Sequence, residues 1–110
     1  MGAFAAGQVV LLAFPFSDLS HSKFRPALLL AEAGRGDWIA CQITSNPYAD
    51  PCAIMLDDAV FASGGLQRIS YARPGKLFTA HESVMEPSVG VLHAAMLTRV
   101  REALVAMIRG

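Results

Sequence analysis

Two short segments carry the residues best suited to chemistry: Lys23-Phe24-Arg25-Pro26 and Gln42-Ile43-Thr44-Ser45. A guanidinium presents five donors in a fixed fork that matches a phosphate, and a hydroxyl can bond one non-bridging oxygen. If the apolar runs 27–32 and 38–44 pair as a hairpin about Gly34-Arg35-Gly36-Asp37, Arg25 and Thr44 fall at its open end, roughly opposite one another. One guanidinium then lies near two hydroxyls, an arrangement suited to phosphoryl chemistry. The same spacing also allows Arg25 to pair with Asp18 at the surface while Thr44 simply packs at a strand end.

The remaining chemical groups form weaker patterns. His21 and His81 fall in expected loops and His93 near an expected helix start, with nothing to fix an acid and base pair. Asp57-Asp58 are neighbours that a strand would point to opposite faces, so a solvated turn fits them better than a carboxylate pair. Arg68, Tyr71, Arg73 and Lys76 mix cations with an aromatic as a single-strand nucleic-acid surface does, and ordinary packing explains them equally well. No phosphate-binding loop, dinucleotide fingerprint, zinc-peptidase helix or nucleophile elbow occurs, and neither a cofactor nor a metal is expected. Cys41 and Cys52 match no metal spacing and read as reduced thiols in the core.

The elements that must position these groups follow from the apolar pattern. Residues 8–14 form a β-branched and aromatic run ended by Pro15, a buried strand; 17–23 is a polar loop; and Pro26 biases Arg25 to an extended conformation at the entry to the second strand. In the third strand Gln42 and Thr44 share a face. A loop with two prolines covers 46–51, a fourth strand 53–56, a turn Ser63-Gly64-Gly65, and two further short strands, 68–72 and 76–79, flank Pro74-Gly75. From Leu92 the period becomes helical: Leu92, Met96, Val100, Leu104 and Ile108 recur at four-residue steps opposite Arg99, Arg101, Glu102 and Arg109, with Ser88 or His93 as the start.

Composition sets the frame. The 110 residues predict a single domain, 1–110, and an apolar content of 54% excludes disorder. Nine basic and nine acidic residues give no net charge, so any nucleic-acid site must be local. Charged residues at 16%, against roughly 25% in average domains, predict an apolar face hidden in a homodimer. The first 17 residues lack charge but also lack a basic n-region and a cleavage site, and no run is long enough to span a bilayer, so a cytoplasmic protein is expected with no membrane role. Six short strands followed by one helix predict a mainly β fold, a small half-open barrel crossed by a C-terminal amphipathic helix.

Several segments resemble the PemK/MazF family of toxins in their order and spacing. They are Gly7-Gln8-Val9-Val10, Phe14-Pro15-Phe16-Ser17-Asp18-Leu19-Ser20, Lys23, Arg25-Pro26-Ala27-Leu28, Gln42-Ile43-Thr44-Ser45, Ser70-Tyr71-Ala72-Arg73-Pro74 and Lys76-Leu77-Phe78-Thr79. The resemblance runs almost end to end, and Phe24 departs from it where the family often has a basic residue. It implies an SH3-like small barrel of the CcdB/PemK type and a homodimer that cleaves single-stranded RNA at selected sequences without a metal, neutralised by a cognate antitoxin. By the same resemblance Arg25 and Thr44 are catalytic, Lys23, Ser45 and Arg73 lie by the RNA groove, and the ribose 2′-hydroxyl attacks the adjacent phosphorus. Arginine does not readily give up a proton, so Arg25 is expected to stabilise the transition state, and His21 is a candidate base. Two alternatives keep the barrel without cleavage: a gyrase-poisoning toxin of the CcdB type, and a non-catalytic RNA-binding dimer.

Overall fold

The computed structural model describes residues 4–13 and 24–110. Among these residues are seven strands: β1 (Gln8–Ala13), β2 (Phe24–Gly34), β3 (Asp37–Thr44), β4 (Ile54–Leu56), β5 (Phe61–Gly64), β6 (Ser70–His81) and β7 (Met85–Leu92). Among the described residues one α-helix, α1 (Ala94–Arg109), follows them. The strands form one antiparallel sheet in the order β4-β6-β3-β2-β1-β7-β5. That sheet curls into a nearly closed barrel. Its interior cluster draws a buried residue from every strand, among them Val9, Leu28, Ile43, Leu56, Phe61, Ala72 and Leu92, and Val100 of α1 plugs it.

The three middle strands are apolar on both faces, which is why β2 reads as a continuous run rather than an alternating one. Leu28 and Leu30 face the interior, whereas Ala27 and Leu29 join Val10, Leu12, Trp38, Ala40 and Met85 in a second cluster on the outer face. The β2–β3 hairpin forms at the expected turn, where Arg35 (φ 55°) and Gly36 (φ 83°) supply the two left-handed positions of a tight two-residue loop. A bulge between Leu29 and Ala31 interrupts the ladder at Leu30. The Leu30 carbonyl accepts instead from Arg101 Nε (3.0 Å) and Nη2 (2.6 Å), which fastens α1 to β2.

Other expectations need correction. The two short strands about Pro74-Gly75 are one long strand, β6, whose pairing with β3 jumps from Cys41↔Leu77 to Gln42↔Arg73. The extra residues 74–76 form a bulge, and a bulge is where a central strand tolerates a proline that cannot donate to the ladder. β5 and β7 lie where no strand was expected, and β7 takes up Leu92. The helix accordingly starts after His93, not at Ser88, and its apolar stripe ends at Leu104, because Ile108 is 74% exposed. Cys41 is buried as expected, but Cys52 is only half-buried in a loop; both are free thiols.

Candidate active site

At the end of the β2–β3 hairpin away from its turn, the paired register ends at Ala27↔Gln42, and continuing it by two residues sets Arg25 opposite Thr44. Directly opposite residues of an antiparallel pair bring their Cβ atoms to about 4.5–5.5 Å. Arg25 is flanked on its other side by Leu12 of β1. Here the ends of several strands and the turn at 65–68 enclose a cavity of about 420 Å³. Arg25, Thr44 and Ser45 line it, together with Gln67, Arg68 and Ser70 from the far wall.

The cavity is cationic. It holds two guanidiniums, those of Arg25 and Arg68, and among the described residues no carboxylate lines it. A chain with no net charge thus concentrates positive charge where a phosphate could enter. The Thr44 hydroxyl is oriented from its own loop: the Asn46 N–H donates to Thr44 Oγ1 at 3.2 Å. With an oxygen lone pair engaged in that way, the Thr44 O–H is left to donate. Ser70, nearly buried, donates from Oγ to the Arg68 carbonyl at 3.1 Å, fixing the turn that carries the Arg68 side chain. That turn begins at Gly64, where a side chain would collide with the Val89 carbonyl and where φ is +66°.

The structure therefore brings together Arg25, Thr44 and Ser45, and leaves Arg73 outside the cavity. Arg73 Nε meets Asp50 Oδ2 at 2.9 Å, its Nη1 donates to Gln42 Oε1 at 3.1 Å, and its guanidinium lies 5.5 Å from the Tyr48 ring centre. Lys23, His21 and Asp18 lie outside the described residues. The other histidines are elsewhere. His81 stands opposite Asp37, at the hairpin turn, where its Nδ1 accepts from the Ser83 N–H at 3.0 Å. Seven strand steps separate that point from Thr44, about 24 Å at roughly 3.4 Å per residue. His93 precedes the helix and makes no side-chain cap, while its N–H donates to the Val60 carbonyl. Asp57 is a turn residue as expected, its carboxylate accepting from the Ala59 N–H at 3.0 Å.

Sequence reasoning missed Gln67 and Ser70, and had Arg68 only in a diffuse basic set. The Gly64-Gly65 turn was visible, but the return of its following segment to face Arg25 depends on β5 pairing with β7. Among the described residues no group of histidine, cysteine and carboxylate side chains could hold a metal. Among the described residues no helix is long and apolar enough to cross a membrane.

Comparison with known proteins bears on the fold and the family. MazF from Deinococcus radiodurans superposes with a TM-score of 0.70 at 24% identity, over 96% of each chain. A MazE-MazF structure from the same organism gives 0.73 at 23% identity, over 97% of each. A mycobacterial endoribonuclease in complex with its cognate antitoxin gives 0.70 at 19% identity, over 98% of this chain and 95% of that one. At these identities the likeness establishes the fold. No curated protein sequence matches the chain. The family model for PemK-like, MazF-like toxins of type II toxin–antitoxin systems does match, over residues 5–108, and because it takes in nearly the whole chain, this protein belongs to that family.

Proposed function

We propose that the protein is a sequence-selective, metal-independent endoribonuclease that acts on single-stranded RNA as a homodimer in the cytoplasm and is held inactive by a cognate antitoxin. The observation that carries the proposal is the convergence of Arg25, Thr44 and Ser45 in one cationic cavity. The mycobacterial neighbour is an endoribonuclease seen with its antitoxin, and the Deinococcus neighbours include MazE-MazF structures, which supports both the activity and the partner.

The chemistry follows from the side chains. The ribose 2′-oxygen attacks the adjacent phosphorus, the bond from phosphorus to the 5′-oxygen breaks, and a 2′,3′-cyclic phosphate and a 5′-hydroxyl result. Charge gathers on the equatorial phosphate oxygens, where the Arg25 fork can place two bonds and the Thr44 hydroxyl a third. Ser45 and Arg68 line the same cavity and hold neighbouring phosphates; Lys23 is assigned to the same RNA path by family resemblance. A second cavity of about 320 Å³ lies behind the wall formed by Leu66, Gln67 and Arg68, but Asp57 and Asp58 line it, so the phosphates are assigned to the first cavity. His21 is the candidate for the base that takes the 2′-proton.

The test is cleavage of a long single-stranded RNA in EDTA by the protein and its Arg25→Ala variant, with the new ends mapped. Cuts at a short recurring motif bearing cyclic phosphates are expected. The variant should lose roughly 10²–10³ in rate, the effect of removing one preorganised oxyanion donor. Intact RNA after incubation with the folded protein would overturn the activity.

A further inference from the structure

We infer that Arg73 is a positioning residue for the cleavage cavity, which clamps the loop after β3 and thereby aims the Thr44 hydroxyl, rather than a contact for RNA. The inference deepens the ribonuclease proposal and rests on it for the reaction, while the clamp itself is a property of the fold.

The loop from Ser45 to Ala53 leaves β3 at Thr44 and enters β4 at Ile54. The start of β6 holds both of its ends, since Tyr71 lies opposite Thr44 on one side and Met55 on the other. Between those anchors the backbone turns through Tyr48 (φ 54°) and Ala49 (φ 58°), two consecutive non-glycine residues in the left-handed region. Such a conformation persists only where the surroundings over-determine it; the Asp50 N–H closes the turn onto the Pro47 carbonyl at 2.9 Å, and Arg73 ties that turn to the sheet. Its guanidinium packs over Tyr48, its Nε bonds the Asp50 carboxylate, and its Nη1 bonds Gln42 Oε1 in the neighbouring strand.

From there the contacts run on to the cavity. The other Asp50 oxygen accepts from the Cys52 N–H at 2.8 Å, Asn46 Oδ1 accepts from the Tyr48 N–H at 3.0 Å, and the Asn46 N–H donates to Thr44 Oγ1. Arg73 is thus two contacts from the Asn46 side chain and three from the Thr44 hydroxyl. Both partners of the Arg73–Asp50 pair are 16% exposed, and the guanidinium's contacts are to protein on three sides. An arginine kept for phosphate would be expected to project into the cavity as Arg25 and Arg68 do.

The experiment compares the full-length protein with Arg73→Gln and Asp50→Asn. It uses a single-stranded RNA substrate for kinetics, a 2′-O-methyl oligonucleotide of the same sequence for binding, and amide hydrogen exchange without RNA. If Arg73 clamps the loop, each variant lowers kcat about tenfold with KM within about twofold, and the double variant is no worse than either single one. Exchange at the Asn46 and Tyr48 amides speeds up in both variants, while amides of the β2–β3 hairpin stay protected. If Arg73 instead meets a phosphate, Arg73→Gln raises KM and flattens the salt dependence of binding by about 0.7 in log–log slope, and Asp50→Asn does not weaken cleavage. That pattern, or unchanged exchange at Asn46 and Tyr48, overturns the inference. Should the wild type leave RNA uncut while exchange responds as expected, the clamp stands and the ribonuclease proposal falls.

Discussion

Thr44 shows how much a single hydroxyl is constrained before any substrate arrives. Its oxygen accepts from the Asn46 N–H, so the hydroxyl hydrogen is what it can offer to a phosphate in the cavity. Thr44→Ser keeps that hydroxyl and should retain cleavage within a few-fold, whereas Thr44→Val keeps the shape and removes the donor. Loss of one donor to a developing oxyanion costs about 2.7–4 kcal/mol, so single-turnover cleavage by Thr44→Val should fall by roughly two orders of magnitude at unchanged binding. Equal rates for the valine and serine variants would remove Thr44 from the chemistry. The two cysteines make a contrasting pair. Burial pushes the Cys41 thiol up to about 12, slightly offset by a backbone hydrogen bond with Arg73. Only thiolates react with a disulfide reagent, so native protein should yield one fast thiol, Cys52, and Cys41 only on unfolding. Two fast thiols would mean that β3 opens readily.

At the scale of elements, the β3–β4 loop depends on a charge pair, which makes its hold pH-dependent. The hydrogen bond from Arg73 lowers the Asp50 pKa, helped by the Cys52 N–H, against a smaller opposing effect of burial. A carboxyl group whose folded pKa lies below its unfolded value, about 3.9 for Asp, adds stability above that value and loses it as the pH falls through the folded pKa. The advantage of wild type over Asp50→Asn in urea midpoint should therefore be flat from neutral pH to about pH 5 and shrink below about pH 4. A difference that persisted undiminished in acid would mean that Asp50 acts through its turn hydrogen bonds and not its charge. What was legible at this scale follows from local signals. The β2–β3 hairpin could be read because Gly34-Arg35-Gly36-Asp37 separates two apolar runs, and it alone sets Arg25 across from Thr44. Strand β7 could not, since Met85-Glu86-Pro87-Ser88-Val89-Gly90 carries the residues of a loop and becomes a strand by pairing with β1 through an irregular register. Strand β6 looked divided because a bulge at Pro74 resembles a turn when its partner strand is unknown. The cavity was half legible for the same reason: the Arg25 and Thr44 side belongs to one hairpin, while the Gln67, Arg68 and Ser70 side is delivered by long-range pairing.

At the scale of the whole molecule, charge and surface make separate demands. A chain of 11.7 kDa with 16% charged residues leaves Phe24, Tyr48, Met55, Ile69, Val84 and Ile108 each about half exposed or more. Apolar surface on that scale in so small a body argues for burial between two copies. Light scattering should then give twice 11.7 kDa, and a mass of one chain would require another cover for those side chains. With net charge near zero, the proposed affinity for RNA has to come from the cavity rather than from the surface at large. Each single-strand phosphate neutralised contributes about 0.7 to the slope of log affinity against log salt, so Lys23, Arg25 and Arg68 of one protomer predict a slope of about −2.1. An RNA that crosses the cavities of both protomers of a dimer should show about twice that, roughly −4.2, and the Arg68→Ala variant should return it to about −2.8 while leaving the mass unchanged. Anisotropy titrations with short and long 2′-O-methyl oligonucleotides separate the cases. A slope that does not steepen with oligonucleotide length would mean that each protomer binds its RNA alone, even within a dimer.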